Sequence, residues 1–339
     1  MNGYSLQDLS DAIQGKLNKQ ALNRLECGET LPDSDTISLL SKALKLTNDY
    51  FFRESTVMLE DVRFRKLKKL PVKEQDKVTA QTVEFLERYL ELEDLLGRDN
   101  TITFKPKSYK VSGIKDVENA AKKVREDWKL GEDPLPNIVE MLEENNIKVF
   151  QLSVDKSFSG MSTIIRDKIA VIVLNANDGI PVVRRRFTAL HELAHLYLDL
   201  SAFEEKESEK MCDAFAGALL LPNAKIKEYL GEKRTQIIGK ELYMIAAQYG
   251  ISIAAIMYRA SELGIISPSY FKFLMINYSK FGTKEKEFTV YQGKEHSDRF
   301  LQLLIRAVAE EIISTSKAAA LNRQKLGDFR EILDNSTTR

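Results

Sequence analysis

The sequence predicts a mainly α protein carrying a small β-sheet, divided into an all-α N-terminal domain, an α+β middle domain and a helical C-terminal region. Three observations predict it. Apolar residues recur at the three-to-four-residue spacing of a helix through most of the chain. Continuous β-rich runs are confined to the stretch between Ile147 and Leu174. Glycines and a proline divide the N-terminal part into short pieces.

A chain of 339 residues is long enough for roughly two or three domains, each with its own core. A hydrophobic share of 43% excludes general disorder. The 50 basic and 50 acidic side chains cancel, so any nucleic-acid contact must come from a local surface. The start, Met1 to Leu6, has no basic segment followed by an apolar one, and no apolar run reaches the roughly 18 residues of a membrane span. Cys27 and Cys212 lie far apart, which predicts no disulfide and a reducing, cytoplasmic setting.

Taken in order, Leu6, Leu9 and Ile13 form one helical stripe. Ala21, Leu22 and Leu25 form a second, and Ile37, Leu40, Ala43 and Leu44 a third. Gly15 and Gly28 separate them, and Asp33 or Ser34, after Pro32, is the expected N-cap of the third. Residues 61–70 form a basic stretch with Arg63, Arg65, Lys66, Lys68 and Lys69, stopped by Pro71. A long helix is predicted from Val72 to Leu96 and a polar linker from Gly97 to Tyr109. Two helices follow, Val117–Leu130 and Pro136–Glu144, and then a strand, Ile147–Leu152. Ser162–Ile165 and Ile169–Leu174 read as a hairpin turning at Asp167-Lys168. Pro181 marks the first turn of a helix that carries Phe187, Leu190, Leu193 and Ala194 inward. Tyr243–Leu263 reads as a helix pair turning at Gly250 and Ser252, and Ala307–Leu333 has a similar pattern. Phe271, Phe273, Tyr278 and Phe281 are expected in the core. The expected boundaries are 1–56, 57–108, 109–265 and 266–339.

The chemistry concentrates in His191-Glu192-Leu193-Ala194-His195. On a helix, positions i and i+4 share a face, so both imidazoles can bind one zinc ion while Glu192 takes a proton from a water that zinc has acidified to a pKa of about 7. A strand pair followed by such a helix is a zincin-like arrangement, with an edge strand available to an extended peptide. The ordinary alternative is two histidines at coincidental spacing. A catalytic zinc needs a third protein ligand. His296 is distant in sequence and lies in a polar segment. The nearer carboxylates are Asp199, Glu204, Glu205, Glu207, Glu209 and Asp213. Glu209 is the expected ligand, with Asp213 one turn on orienting a ligand histidine. Cys212 competes, although a small thiol beside Ala214 and Ala216 is more commonly a packing residue.

The run Arg186-Phe187-Thr188-Ala189-Leu190-His191-Glu192-Leu193-Ala194-His195-Leu196, followed by Glu209-Lys210-Met211-Cys212-Asp213-Ala214-Phe215-Ala216 and Leu219-Leu220-Leu221-Pro222, resembles the ImmA/IrrE family of metallopeptidases over residues 110–260. The resemblance implies a zinc site of His191, His195 and Glu209 with Glu192 as general base, and an enzyme that cleaves repressor proteins. Two departures stand out: Cys212 where alanine is usual, and Asp199 where a histidine often follows.

Residues 5–53 resemble the XRE type of helix-turn-helix, the fold of lambdoid phage repressors, through Leu6 to Ser10, Asn18 to Gly28, Pro32 and Leu39 to Leu46. The second helix of such a pair lies in the major groove. Asn18, Lys19, Gln20, Asn23 and Arg24 are the expected DNA contacts, since Gln can read adenine and Arg or Lys guanine. Acidic residues slightly outnumber basic ones in 1–55, which suits a protein-interaction module instead. The expected partners are a double-stranded DNA operator and a protein substrate of repressor, antitoxin or toxin-like kind. Palindromic operators imply a homodimer, for which the long helix is a candidate interface. The competing reading is a non-enzymatic regulator or antitoxin whose zinc domain senses a signal or binds a partner.

Overall fold

The computed structural model describes residues 4–46, 48–52, 70–97, 108–165, 168–280 and 291–337. It is mainly helical, with small sheets of two and three strands. The described residues form two compact units, one holding those before residue 60 with Leu70–Glu87, the other those from Arg88 onward. The basic stretch from Arg63 to Lys69, most of the linker after Gly97, and Phe281 lie outside the described residues.

In the first unit α1 (Leu6–Ala12), α2 (Lys19–Glu26) and α3 (Ser34–Leu44) are followed by a 3-10 turn, Asn48–Phe52. Each helix begins where a side chain satisfies its first amides. Ser5 and Asp8 form a reciprocal capping box before α1. Asn18 accepts from the Ala21 amide at 2.8 Å, and Asp33, rather than Ser34, accepts from Thr36 at 2.8 Å. The hydrogen bonds from Thr36 hold the Asp33 carboxyl below its usual range. The apolar stripes converge on Ile13, Leu22 and Leu40, flanked by Leu6, Leu9, Leu17 and Leu25. Leu22 is 2% exposed in this small core. Leu22→Ala should cost about 2–5 kcal/mol. Amide hydrogen exchange across α1–α3 checks it, and unchanged protection would show that this cluster does not hold the unit together.

The helix α4 (Val72–Leu95) contributes its first part to the first unit and, from Arg88, its end to the second. The second unit continues with β1 (Tyr109–Lys110), α5 (Ile114–Asp127), α6 (Ile138–Glu144), β2 (Ile147–Leu152), β3 (Gly160–Ile165) and β4 (Ile169–Asn175). Then come α7 (Val182–Tyr197), β5 (Leu198–Asp199), α8 (Glu205–Leu220), α9 (Asn223–Leu230), α10 (Gly239–Tyr249) and α11 (Ile253–Glu262). The chain ends with α12 (Pro268–Lys280), α13 (Arg299–Ala309), α14 (Thr315–Leu321) and α15 (Leu326–Thr337). Among the described residues, no helix is long and apolar enough to cross a membrane.

The two strands pair as their pattern predicts, and Asp167 of the expected turn lies outside the described residues. β3 and β4 pair antiparallel with Ile165 opposite Ile169, and β2 pairs parallel with β4, giving the order β2-β4-β3. β4 is therefore central and fully apolar from Ala170 to Leu174, all buried, as a strand with neighbours on both sides should be. β3 is an edge. It lies against α7 so closely that a Cβ on Gly160 would come within 2.7 Å of the Thr188 methyl, which is why a glycine opens this strand. The short parallel pair of β1 and β5 was not predicted, since two residues per strand leave no periodicity to read.

α7 and α8 bury Leu190, Leu193 and Ala194 with Phe215, Ala216 and Leu219 in one core. α8 starts after the Glu204 cap with Glu205 and Glu207 in its first turn, where the helix dipole favours acidic side chains. Its last turn is closed by Arg125 of α5, whose Nε and Nη2 donate to the Leu219 carbonyl at 2.9 and 2.6 Å. Burial pushes the Arg125 pKa down to about 10.

The expectation of a C-terminal aromatic core is corrected at Phe273. α12 buries none of its residues. Phe271 and Tyr278 are only partly covered against the main core, and Phe273 is 57% exposed. The segment before α13 does more than the sequence suggested. Its Glu295 is buried and ion-paired with Arg186 of α7. Glu295 also accepts from the Ile138 amide at 3.0 Å, at the start of α6. Arg186 further donates to the carbonyls of Gly250, at 3.0 Å, and Leu135, at 2.6 Å, and to the Tyr291 hydroxyl at 2.8 Å. The backbone carbonyls of Glu295 and His296 accept from Gln151 at 2.8 Å and Asn137 at 2.7 Å. Burial raises the Glu295 pKa despite the Arg186 charge beside it.

Candidate active site

Two helices build the site. α7 presents His191 and His195 one turn apart, and their Nε2 atoms lie 3.3 Å from each other. α8 brings Glu209 to both. Its Oε2 is 3.2 Å from His191 Nε2, and its Oε1 is 3.3 Å from His195 Nε2. Asp213, one turn further along α8, accepts from His191 Nδ1 at 2.7 Å. That bond puts the ring proton on Nδ1 and leaves the Nε2 lone pair facing His195 and Glu209.

Glu192 lies beside these groups on α7 and is 2% exposed. Its Oε2 accepts a hydrogen bond of 2.8 Å from Ser162 on the edge strand β3. Ser162 was not foreseen. The alternation of β3 puts it on the same side as Gly160, but only the contact of Gly160 with α7 reveals that this side faces the helix.

Among the other carboxylates considered, Asp199 accepts from the amide and hydroxyl of Ser201, at 3.2 and 2.6 Å. Glu204, Glu205 and Glu207 are exposed at the start of α8. His296 faces Asp298 at 3.7 Å. Cys212, fully buried on α8, has its sulfur in one group with ring nitrogens of His191 and His195, all within 4.8 Å of one another. In the first unit Asn18 caps α2, and Lys19, Gln20, Asn23 and Arg24 are exposed along it.

Donors bonded to one tetrahedral metal at about 2.0–2.1 Å sit about 3.3 Å apart. The His191, His195 and Glu209 atoms have that spacing, so the residues present fit a divalent metal. Two imidazoles and a carboxylate from the next helix, with a buried glutamate alongside, form the layout of a metallopeptidase-type domain. Residues 142–261 match the family model described as the IrrE N-terminal-like domain, a peptidase family. The match runs from within α6 to within α11 and takes in every residue of this site. No curated protein matches the chain.

Proposed function

We propose that the chain is a cytoplasmic DNA-binding transcriptional regulator with a zinc-dependent endopeptidase in its second unit. It cleaves a repressor- or antitoxin-type partner, or itself, and thereby controls gene expression. The observation that carries this reading is the triangle of His191, His195 and Glu209 donor atoms beside buried Glu192.

His191, His195 and Glu209 would hold the ion, with Asp213 orienting His191. A zinc ion held there supplies Lewis acidity toward a water molecule and a peptide carbonyl. Glu192, held by Ser162, takes a proton from the attacking water and returns it to the leaving amine. The edge strand β3 offers backbone groups to an extended substrate next to Glu192. Exposed Lys19, Gln20, Asn23 and Arg24 on α2, behind the Asn18 cap, support operator recognition by a homodimer.

Purified protein incubated with the products of neighbouring genes should generate fragments, identifiable by mass spectrometry, that a chelator suppresses. No chelator-sensitive fragment from any of them would count against the peptidase. Asp213→Asn should lower zinc affinity about 10–100-fold in chelator competition, because the histidine loses its charged orienting partner. An unchanged affinity would remove Asp213 from the site. A variant with Lys19, Gln20 and Arg24 all changed to alanine should lose binding to the native upstream DNA in a gel shift. Unchanged binding would defeat the assignment of α2.

A second reading, a non-enzymatic regulator or antitoxin whose metal domain binds a partner, is favoured by one observation. The buried thiol of Cys212 beside the two histidines offers a fourth protein donor, the mark of a closed structural site.

A further inference from the structure

We propose that Cys212 is a metal donor of this centre, its thiolate binding the ion together with His191 and His195. The proposal rests on the reading of the two histidines as metal ligands. Cys212 follows Glu209 by three residues and precedes Asp213, so α8 turns Glu209 and Cys212 toward both imidazoles and Asp213 toward that of His191. Its sulfur shares a sphere of 4.8 Å with their nitrogens. Its side chain is 0% exposed, so the sulfur approaches from the protein interior and not from solvent. Thiolate is among the strongest zinc donors that proteins use, and binding releases the thiol proton to solvent.

The consequence concerns the open position that catalysis requires. A tetrahedral ion bound by His191, His195 and Glu209 has one position left, and Cys212 and water cannot both take it. With sulfur there, the centre is an all-protein cage that retains its metal and does no hydrolysis. With sulfur withdrawn, the same centre admits water. The cleavage proposed above therefore requires Cys212 to yield its position to water when a partner is bound.

Cobalt(II) tests this on the full chain stripped of metal and reloaded with cobalt alone. Wild-type protein and Cys27→Ala should show tetrahedral ligand-field bands in the visible and a sulfur-to-cobalt charge-transfer band in the near ultraviolet. Cys212→Ala should lose the ultraviolet band and keep visible bands shifted by the loss of sulfur, and Cys212→Ser, which retains the volume, should do the same. The fluorescence of Trp128, the single tryptophan, confirms that each variant is folded. Visible bands without a charge-transfer band in the wild type would overturn the proposal and leave the His191, His195 and Glu209 site standing. Absence of all cobalt bands would overturn the metal reading and the proposal with it.

Discussion

Glu192→Gln should reduce cleavage of a genuine partner by about 10²–10⁴-fold while zinc binding is retained. Glutamine has nearly the volume of glutamate, and its carbonyl oxygen can still accept from Ser162, so the buried packing between α7 and β3 survives. What disappears is the capacity to hold a proton. With the position 2% exposed, bulk water is poorly placed to supply that capacity instead. Glu192 lies outside the donor triangle, so cobalt or zinc stoichiometry should stay at the wild-type value. A variant that cleaves as fast as wild type would sink the assignment of Glu192 as the base. A variant that loses its metal would make it a structural residue.

Glu295→Ala should destabilise the second unit by about 3–5 kcal/mol. Arginine stays charged at any accessible pH, so removing the carboxylate leaves a buried Arg186 cation facing only carbonyl dipoles and the Tyr291 hydroxyl. The Ile138 amide at the start of α6 loses its acceptor as well. The raised Glu295 pKa sets the sign of the pH dependence. A carboxyl with a raised folded-state value contributes stability below the ordinary carboxylate range and loses it as pH rises through the raised value. The wild type should therefore show a pH-dependent fall in stability there that Glu295→Ala lacks. Urea unfolding followed at Trp128 measures both, because the only tryptophan of the chain lies in this unit. A change below about 1 kcal/mol would mean that water reaches Arg186 when the carboxylate is gone.

The grouping of the candidate ligands was readable where chemistry is local. His191, Glu192 and His195 follow from the pitch of one helix, and Glu209 and Asp213 from the pitch of the next. The readable signals were spacing and residue type, and both survive in three dimensions because α7 and α8 share an apolar core. Ser162 and Glu295 were not readable. Each meets its partner across a long loop of sequence, 30 residues for Ser162 and Glu192 and 109 for Arg186 and Glu295. Neither lies in a pattern that distinguishes it from an ordinary surface residue. The helix pair around Gly250 was legible because a left-handed turn, here at φ 59°, favours glycine, and a Cβ at this position would come within 2.5 Å of Arg186 Nε. Phe273 of α12 is exposed, unlike Phe271 and Tyr278, because an aromatic at helical spacing is buried only where another element arrives to cover it.

The family match stops at residue 261, yet the helix bearing both histidines is plugged by Glu295, well past that point. Dissection of the polypeptide must respect this. An excised fragment ending with α11 would keep all the zinc-ligand candidates and expose a guanidinium-lined hole behind them. Crystallisation or assay of a minimal catalytic piece should therefore extend through Ser297, or supply residues 291–297 as a separate peptide to fill the gap.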